Sequence, residues 1–188
     1  MCSRSFRNKI KSCPTTGSSL SEIKVQEGEI LQGAVICIGK IKESFMRQAA
    51  DEYKKRLSRF VHVDEIELPD LPEPVNSSTA LENLLLQKEG ASLLSKIKQG
   101  DYVIALCIEG RQISSEAMAA MINDCKASGR RPVFIIGGSL GLSNAVKERA
   151  NEKLSLSKMT FPHQLARVML LEQWYRAEKI NANERYHK

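Results

Sequence analysis

Three short stretches of this chain are apolar from end to end: Ala34-Val35-Ile36-Cys37-Ile38, Tyr102-Val103-Ile104-Ala105-Leu106-Cys107-Ile108 and Pro132-Val133-Phe134-Ile135-Ile136. None alternates apolar with polar residues, so each must be covered on both faces. Strands of that kind belong to parallel sheets with helices above and below. The segments between them carry helical spacing. Over residues 42–59, Phe45, Ala49, Tyr53, Leu57 and then Phe60 recur on one face, with Lys, Arg, Asp and Glu opposite. Thr79-Ala80-Leu81-Glu82 has the form of a capping box and opens a helix through about Lys98, with an apolar stripe of Leu81, Leu84, Leu85, Leu94 and Ile97. Ser114 or Ser115 caps a further helix that bears Met118, Met121 and Ile122. One strand does alternate, at Val61, Val63, Ile66 and Leu68, before Pro69, Pro72 and Pro74 impose a loop. Glu109-Gly110 is expected to turn the chain after the second buried run. Strands alternating with helices predict an α/β protein with a mostly parallel sheet flanked by helices, one domain over 33–188.

Residues 1–32 differ from the rest. Ser, Thr and Lys dominate, apolar residues are scattered, and no period shows, so a disordered extension is expected. Its first 20 residues carry Arg4, Arg7, Lys9 and Lys11 and no acid, which fits an organelle transit peptide, a leader, or an artefact of an upstream start. The chain has a net charge of +6, which suits an anionic partner such as nucleic acid or ordinary solubility. Five cysteines form no C-x-x-C pair, and no pair of the three histidines has metal-ligand spacing, so no metal is expected. No apolar run approaches the length of a membrane span.

Two loops stand where ligands bind in α/β proteins, at the carboxyl ends of strands. The first is Gly137-Gly138-Ser139-Leu140-Gly141, directly after a buried strand, with Ser143 placed to cap a helix to about Asn151. Glycines there let backbone approach a ligand closely. The spacing is neither G-x-G-x-x-G nor a P-loop, so a dinucleotide enzyme is disfavoured, and a plain tight turn stays open. The second is Leu156-Ser157-Lys158-Met159-Thr160-Phe161-Pro162-His163. Backbone donors beside apolar groups suit a flat heterocycle such as adenine; a plain connector is the alternative.

A helix follows from His163 to about Ile180. Leu165, Val168, Met169, Leu170, Leu171 and Trp174 surround its axis, so it must be covered on several sides, which points to a homodimer. Glu172 and Arg176 form an i,i+4 pair. Arg167 is either a substrate or carboxylate contact or a buried structural charge. His163 reads as a capping or core partner, His62 as a surface residue.

Ile135-Ile136-Gly137-Gly138, Gly141-Leu142, the run Leu154 to Gln164, Glu172 with Tyr175-Arg176-Ala177, and the closing Tyr186-His187-Lys188 occur in order. Together they resemble the RlmH (YbeA-like) family of SPOUT methyltransferases, from about Ala34 to Lys188. The resemblance implies an α/β knot, trefoil-like, with the C-terminal segment threaded through a preceding loop. It implies a homodimer with the last helix at the interface, and S-adenosyl-L-methionine as cofactor. The implied substrate is large-subunit (23S) ribosomal RNA in the assembled ribosome, methylated at N3 of a pseudouridine in helix 69. The cofactor site would comprise Leu106, Gly137 and Leu156, Ser157, Lys158, Met159, Thr160 and Phe161. The partner's tail would bring Tyr186 and His187 to the reacting methyl group, with His187 a candidate general base and Arg167 a candidate contact. Lys158, Arg167, Arg176 and Arg185 are candidate phosphate contacts. Many relatives carry a polar or acidic residue where this chain has Leu140. The competing readings are a SPOUT enzyme with another target nucleotide and a non-catalytic ribosome-binding module. The expected place is the cytoplasm, or a plastid or mitochondrion if residues 1–32 are a transit peptide.

Overall fold

The computed structural model describes residues 31–72 and 78–185. Most of the extension, Pro74 and the closing Tyr186-His187-Lys188 lie outside the described residues. The element order is β1 (Leu31–Ile38), α1 (Ser44–Leu57), β2 (Val61–Leu68), α2 (Thr79–Leu94), β3 (Tyr102–Arg111), α3 (Ser115–Ala127), β4 (Pro132–Ile136), α4 (Asn144–Arg149), β5 (Glu152–Leu154) and α5 (His163–Asn181). The five strands form one sheet in the order β2-β1-β4-β3-β5, and every neighbouring pair is parallel. The apolar runs occupy its centre, as strands without alternation require.

Two apolar cores lie on opposite faces. Val35, Cys37, Ile104, Phe134 and Ile136 pack against α1, α3 and α5. Ala34, Ile36, Val103, Val133 and Ile135 pack on the other side with residues of α2 and α4. Trp174 of α5 anchors the first core: it is fully buried, and its ring lies 4.8 Å from that of Phe134.

Several local expectations shift for identifiable reasons. β1 begins at Leu31, inside the expected extension, because Leu31 and Gln32 pair with Val61 and His62. The packed face of α1 is Met46, Ala50, Tyr53 and Leu57, one position on from Phe45, which stays 61% exposed. The cap of α2 is Ser78 rather than Thr79, with its hydroxyl accepting from the Leu81 amide. Leu81 and Leu84 face outward, whereas Leu93 is buried with Leu94 and Ile97 packed beside it. β3 does not turn at Glu109-Gly110. It runs on to Arg111, which pairs with Leu154 beyond an irregularity in the ladder. A side chain at Gly110 would meet the Leu154 backbone at 2.4 Å, so the close approach depends on glycine.

The alternation in β2 changes face midway. Val61 and Val63 face α1 and α5, whereas Ile66 and Leu68 face the other core. Glu65 and Glu67, at the same parity as Val61 and Val63, therefore turn toward the helices. There Arg167 of α5, with no exposed surface, donates to Glu65 Oε1 at 2.9 Å, Glu67 Oε1 at 2.6 Å and the Gly39 carbonyl at 2.8 Å. Arg47 and Lys54 of α1 bind the same carboxylates. Burial acts to raise the Glu67 pKa, but hydrogen bonds from Arg47, Arg167 and the Ile41 amide outweigh it and hold the carboxyl below its ordinary range. Neighbouring Gln164 accepts from the Lys42 amide at 2.8 Å, so the first turns of α5 are tied to the loop after β1.

Candidate active site

The carboxyl ends of β3, β4 and β5 lie side by side. The chain leaves β3 toward α3 on one face and leaves β4 toward α4 on the other. Diverging connections open a crevice at that point, the place where open α/β sheets bind ligands. A cleft of about 620 Å³ lies there.

Three pieces of backbone wall it. The first is the end of β3, Leu106 to Glu109. The second is the Gly turn, closed by a Gly141 amide donating to the Gly138 carbonyl at 3.1 Å, with Gly141 at φ 83°. A Cβ on Gly137 would lie 2.2 Å from the Gly141 carbonyl oxygen, so this fold-back tolerates no side chain there. The third is the loop 155–162. Its start is pinned by the Ser155 amide donating to the Arg111 carbonyl at 3.0 Å. Inside it, the Ser155 hydroxyl donates to the Ser157 carbonyl at 2.7 Å and the Ser157 hydroxyl accepts from the Met159 amide at 3.0 Å. The hydroxyls thus hold the loop's shape and leave apolar side chains for the wall.

Of the residues expected in a cofactor site, Leu106, Gly137, Leu156, Ser157, Met159, Thr160 and Phe161 line this cleft. Lys158 does not; it points to solvent. Arg167 does not line it either, and its guanidinium is committed to Glu65, Glu67 and Gly39. The buried structural charge is the reading the geometry supports. Glu172 accepts from Arg176 at 2.6 Å, as their spacing predicts. Tyr186 and His187 lie outside the described residues.

The cleft also contains residues for which the sequence suggested another role or none. His163 lines it instead of capping α5, whose N-cap is Pro162 with no side-chain bond. Burial and the Arg167 charge lower the pKa of His163, so its imidazole is mainly neutral at pH 7. Burial raises the Cys107 thiol. Glu109 and Lys147 form an ion pair in the lining, and the Lys147 hydrogen bond holds the Glu109 carboxyl below its ordinary range. The position of Glu109 just past an apolar run could have flagged it. Nothing local flags Lys147, since its place depends on how α4 docks. Ile108 and Met159, 59% and 68% exposed, give the mouth an apolar rim. Among the described residues no cluster of His, Cys, Asp or Glu could hold a metal ion.

Comparison with known proteins fits this arrangement. A family model described as a predicted SPOUT methyltransferase matches residues 31–187. A protein named ribosomal RNA large subunit methyltransferase H from Clostridium novyi is 53% identical over 155 residues, covering 82% of this chain and 98% of the relative. Its namesake from Bifidobacterium animalis subsp. lactis is also 53% identical, with the same coverage. A third, from Clostridium botulinum, is 51% identical over 156 residues, again covering 82% and 98%.

Proposed function

Because this chain belongs to the SPOUT methyltransferase family, we propose that it is a ribosomal RNA large-subunit methyltransferase that uses S-adenosyl-L-methionine. The observation that carries the reading is the cleft where the ends of β3, β4 and β5 meet, lined by seven of the eight residues expected to hold the cofactor. The residues fit such a group. Gly137, lacking a Cβ, lets the Gly141 backbone fold against it to shape the turn, and Leu106, Leu156, Met159 and Phe161 offer apolar walls beside backbone donors. These features suit a flat adenine.

The finer assignment is methylation of N3 of a pseudouridine in helix 69 of 23S ribosomal RNA, on the assembled ribosome. The cofactor, when bound, supplies a methyl group on a sulfonium that is already a good leaving group. The protein therefore has two tasks, to align the acceptor nitrogen with that methyl and to manage the imide proton. Ser155 and Ser157 hold the cleft loop in shape for the first task. For the second, His187 of the partner's tail is the proposed base and Tyr186 the proposed contact to the nucleobase. His187 suits this role because an unperturbed imidazole titrates near about 6.5.

A homodimer belongs to the same proposal, with the C-terminal segment threaded as a knot. Its support is α5, where the single chain leaves Leu165, Val168 and Met169 half-buried. Among the described residues no helix is long and apolar enough to cross a membrane. The proposed location is the cytoplasm, or an organelle if the extension acts as a transit peptide. Mass spectrometry of ribosomal RNA from a deletion strain, with and without the restored gene, tests the function. Loss of one methyl from helix 69, regained on complementation, is the expected result. Unchanged RNA would favour a ribosome-binding module, and loss elsewhere would favour another target nucleotide.

A further inference from the structure

Resting on the cofactor reading above, we propose that Lys147 and Glu109 form the subsite for the amino-acid end of the methyl donor, Lys147 taking its carboxylate and Glu109 its ammonium. Four ionisable side chains line the cleft among the described residues: Cys107, Glu109, Lys147 and His163. Burial keeps the Cys107 thiol protonated and the His163 imidazole mainly neutral at pH 7. That leaves one anion and one cation, bonded to each other.

The charge pattern selects the ligand chemistry. An ion pair facing a cleft is matched by a ligand end that is itself a zwitterion. Each member of the pair exchanges one partner for another, and no net charge is buried. A lone ligand anion or cation would instead match only one member of the pair. Both side chains are reachable, with 54% of Glu109 and 25% of Lys147 exposed. The rest of the lining is apolar groups, backbone and hydroxyls, which suit adenine and ribose and offer no charged partner to the carboxylate or the ammonium. Arg167, which the sequence left open as a carboxylate contact, is bonded to Glu65 and Glu67.

The test is calorimetric titration of the full chain with S-adenosylhomocysteine and with methylthioadenosine, which keeps adenine, ribose and thioether but lacks the amino-acid end. The variants are Lys147→Met and Glu109→Gln, with thermal melting as the control for folding. Each substitution should weaken S-adenosylhomocysteine about tenfold or more, the worth of a hydrogen bond to a charged group, and leave methylthioadenosine within about twofold. No change for either compound, or equal weakening of both, overturns the subsite. Equal weakening by Glu109→Gln alone would place that carboxylate on the ribose hydroxyls. If the unsubstituted protein binds neither compound, the cofactor reading itself fails, which is a distinct result.

Discussion

Replacing Arg167 with Met removes the only fully buried guanidinium among the described residues and leaves its two carboxylates in place. Arg167→Met keeps the apolar stem, so the packing lost is confined to the guanidinium end. The cost comes from Glu65, only 6% exposed, and from the Gly39 carbonyl, which loses a donor. Stripping one partner from a buried ion pair costs roughly 3–5 kcal/mol. Arg47 and Lys54 still hold the same carboxylates, so the lower end applies, about 3 kcal/mol. For a domain of this size that lowers the melting temperature by roughly 6–12 °C. Calorimetry at pH 7 reads it directly. The triple variant Arg167→Met with Glu65→Gln and Glu67→Gln should recover much of the loss, because no buried carboxylate is then short of a cation. Arg47 and Lys54, each about one-third exposed, can turn to water. A single variant melting within about 2 °C of the parent would refute the reasoning, as would a triple variant less stable than the single one. If Arg167→Met kept full stability but lost methyl transfer, the contact reading would return.

Gly137→Ala should abolish cofactor binding by calorimetry while the chain stays folded, because a Cβ 2.2 Å from the Gly141 carbonyl forces the turn open; retained affinity would show that the turn is not part of the site. His187→Ala should slow single-turnover methyl transfer with cofactor affinity nearly intact, and an unchanged rate would remove it as the base. Acid should destabilise the fold in a defined direction: Glu67 and Asp101 sit below their ordinary ranges in the folded chain, both against the effect of burial, Glu67 through Arg47 and Arg167 and Asp101 through Arg131 and the Lys98 amide. A lowered folded-state pKa gives stability that is present above the ordinary carboxylate range and lost as pH falls through it, so urea midpoints should hold from pH 7 to about 5 and then drop. At the alkaline end burial pushes Cys37 up to about 12, from an ordinary 9.0, so its share of stability should fade as pH rises above 9.0, and Cys37→Ala should flatten that limb.

The sequence alone determined the elements and the neighbourhood of the site. Unbroken apolar runs at Ala34–Ile38 and Pro132–Ile136 admit only doubly covered strands, and glycines just past a strand mark a turn where backbone is bare. Those signals are local, carried by residues within a few positions of each other. Tertiary structure decided what depends on partners far along the chain. Nothing local marks Glu65 and Glu67 of β2, yet the Glu65 side chain is enclosed and Glu67 half-buried, because Arg167, about a hundred positions away, meets them. Phe45 has the spacing of a core residue but stays in solvent, because the docking of α1 on α5 selects the neighbouring stripe. Gly110 reads as a turn signal, yet it is there for the Leu154 backbone to approach. Lys147 enters the cleft only because α4 crosses to the face opposite α3. Local periodicity fixes which surface an element must bury, while the partner that buries it is chosen by packing across the sheet.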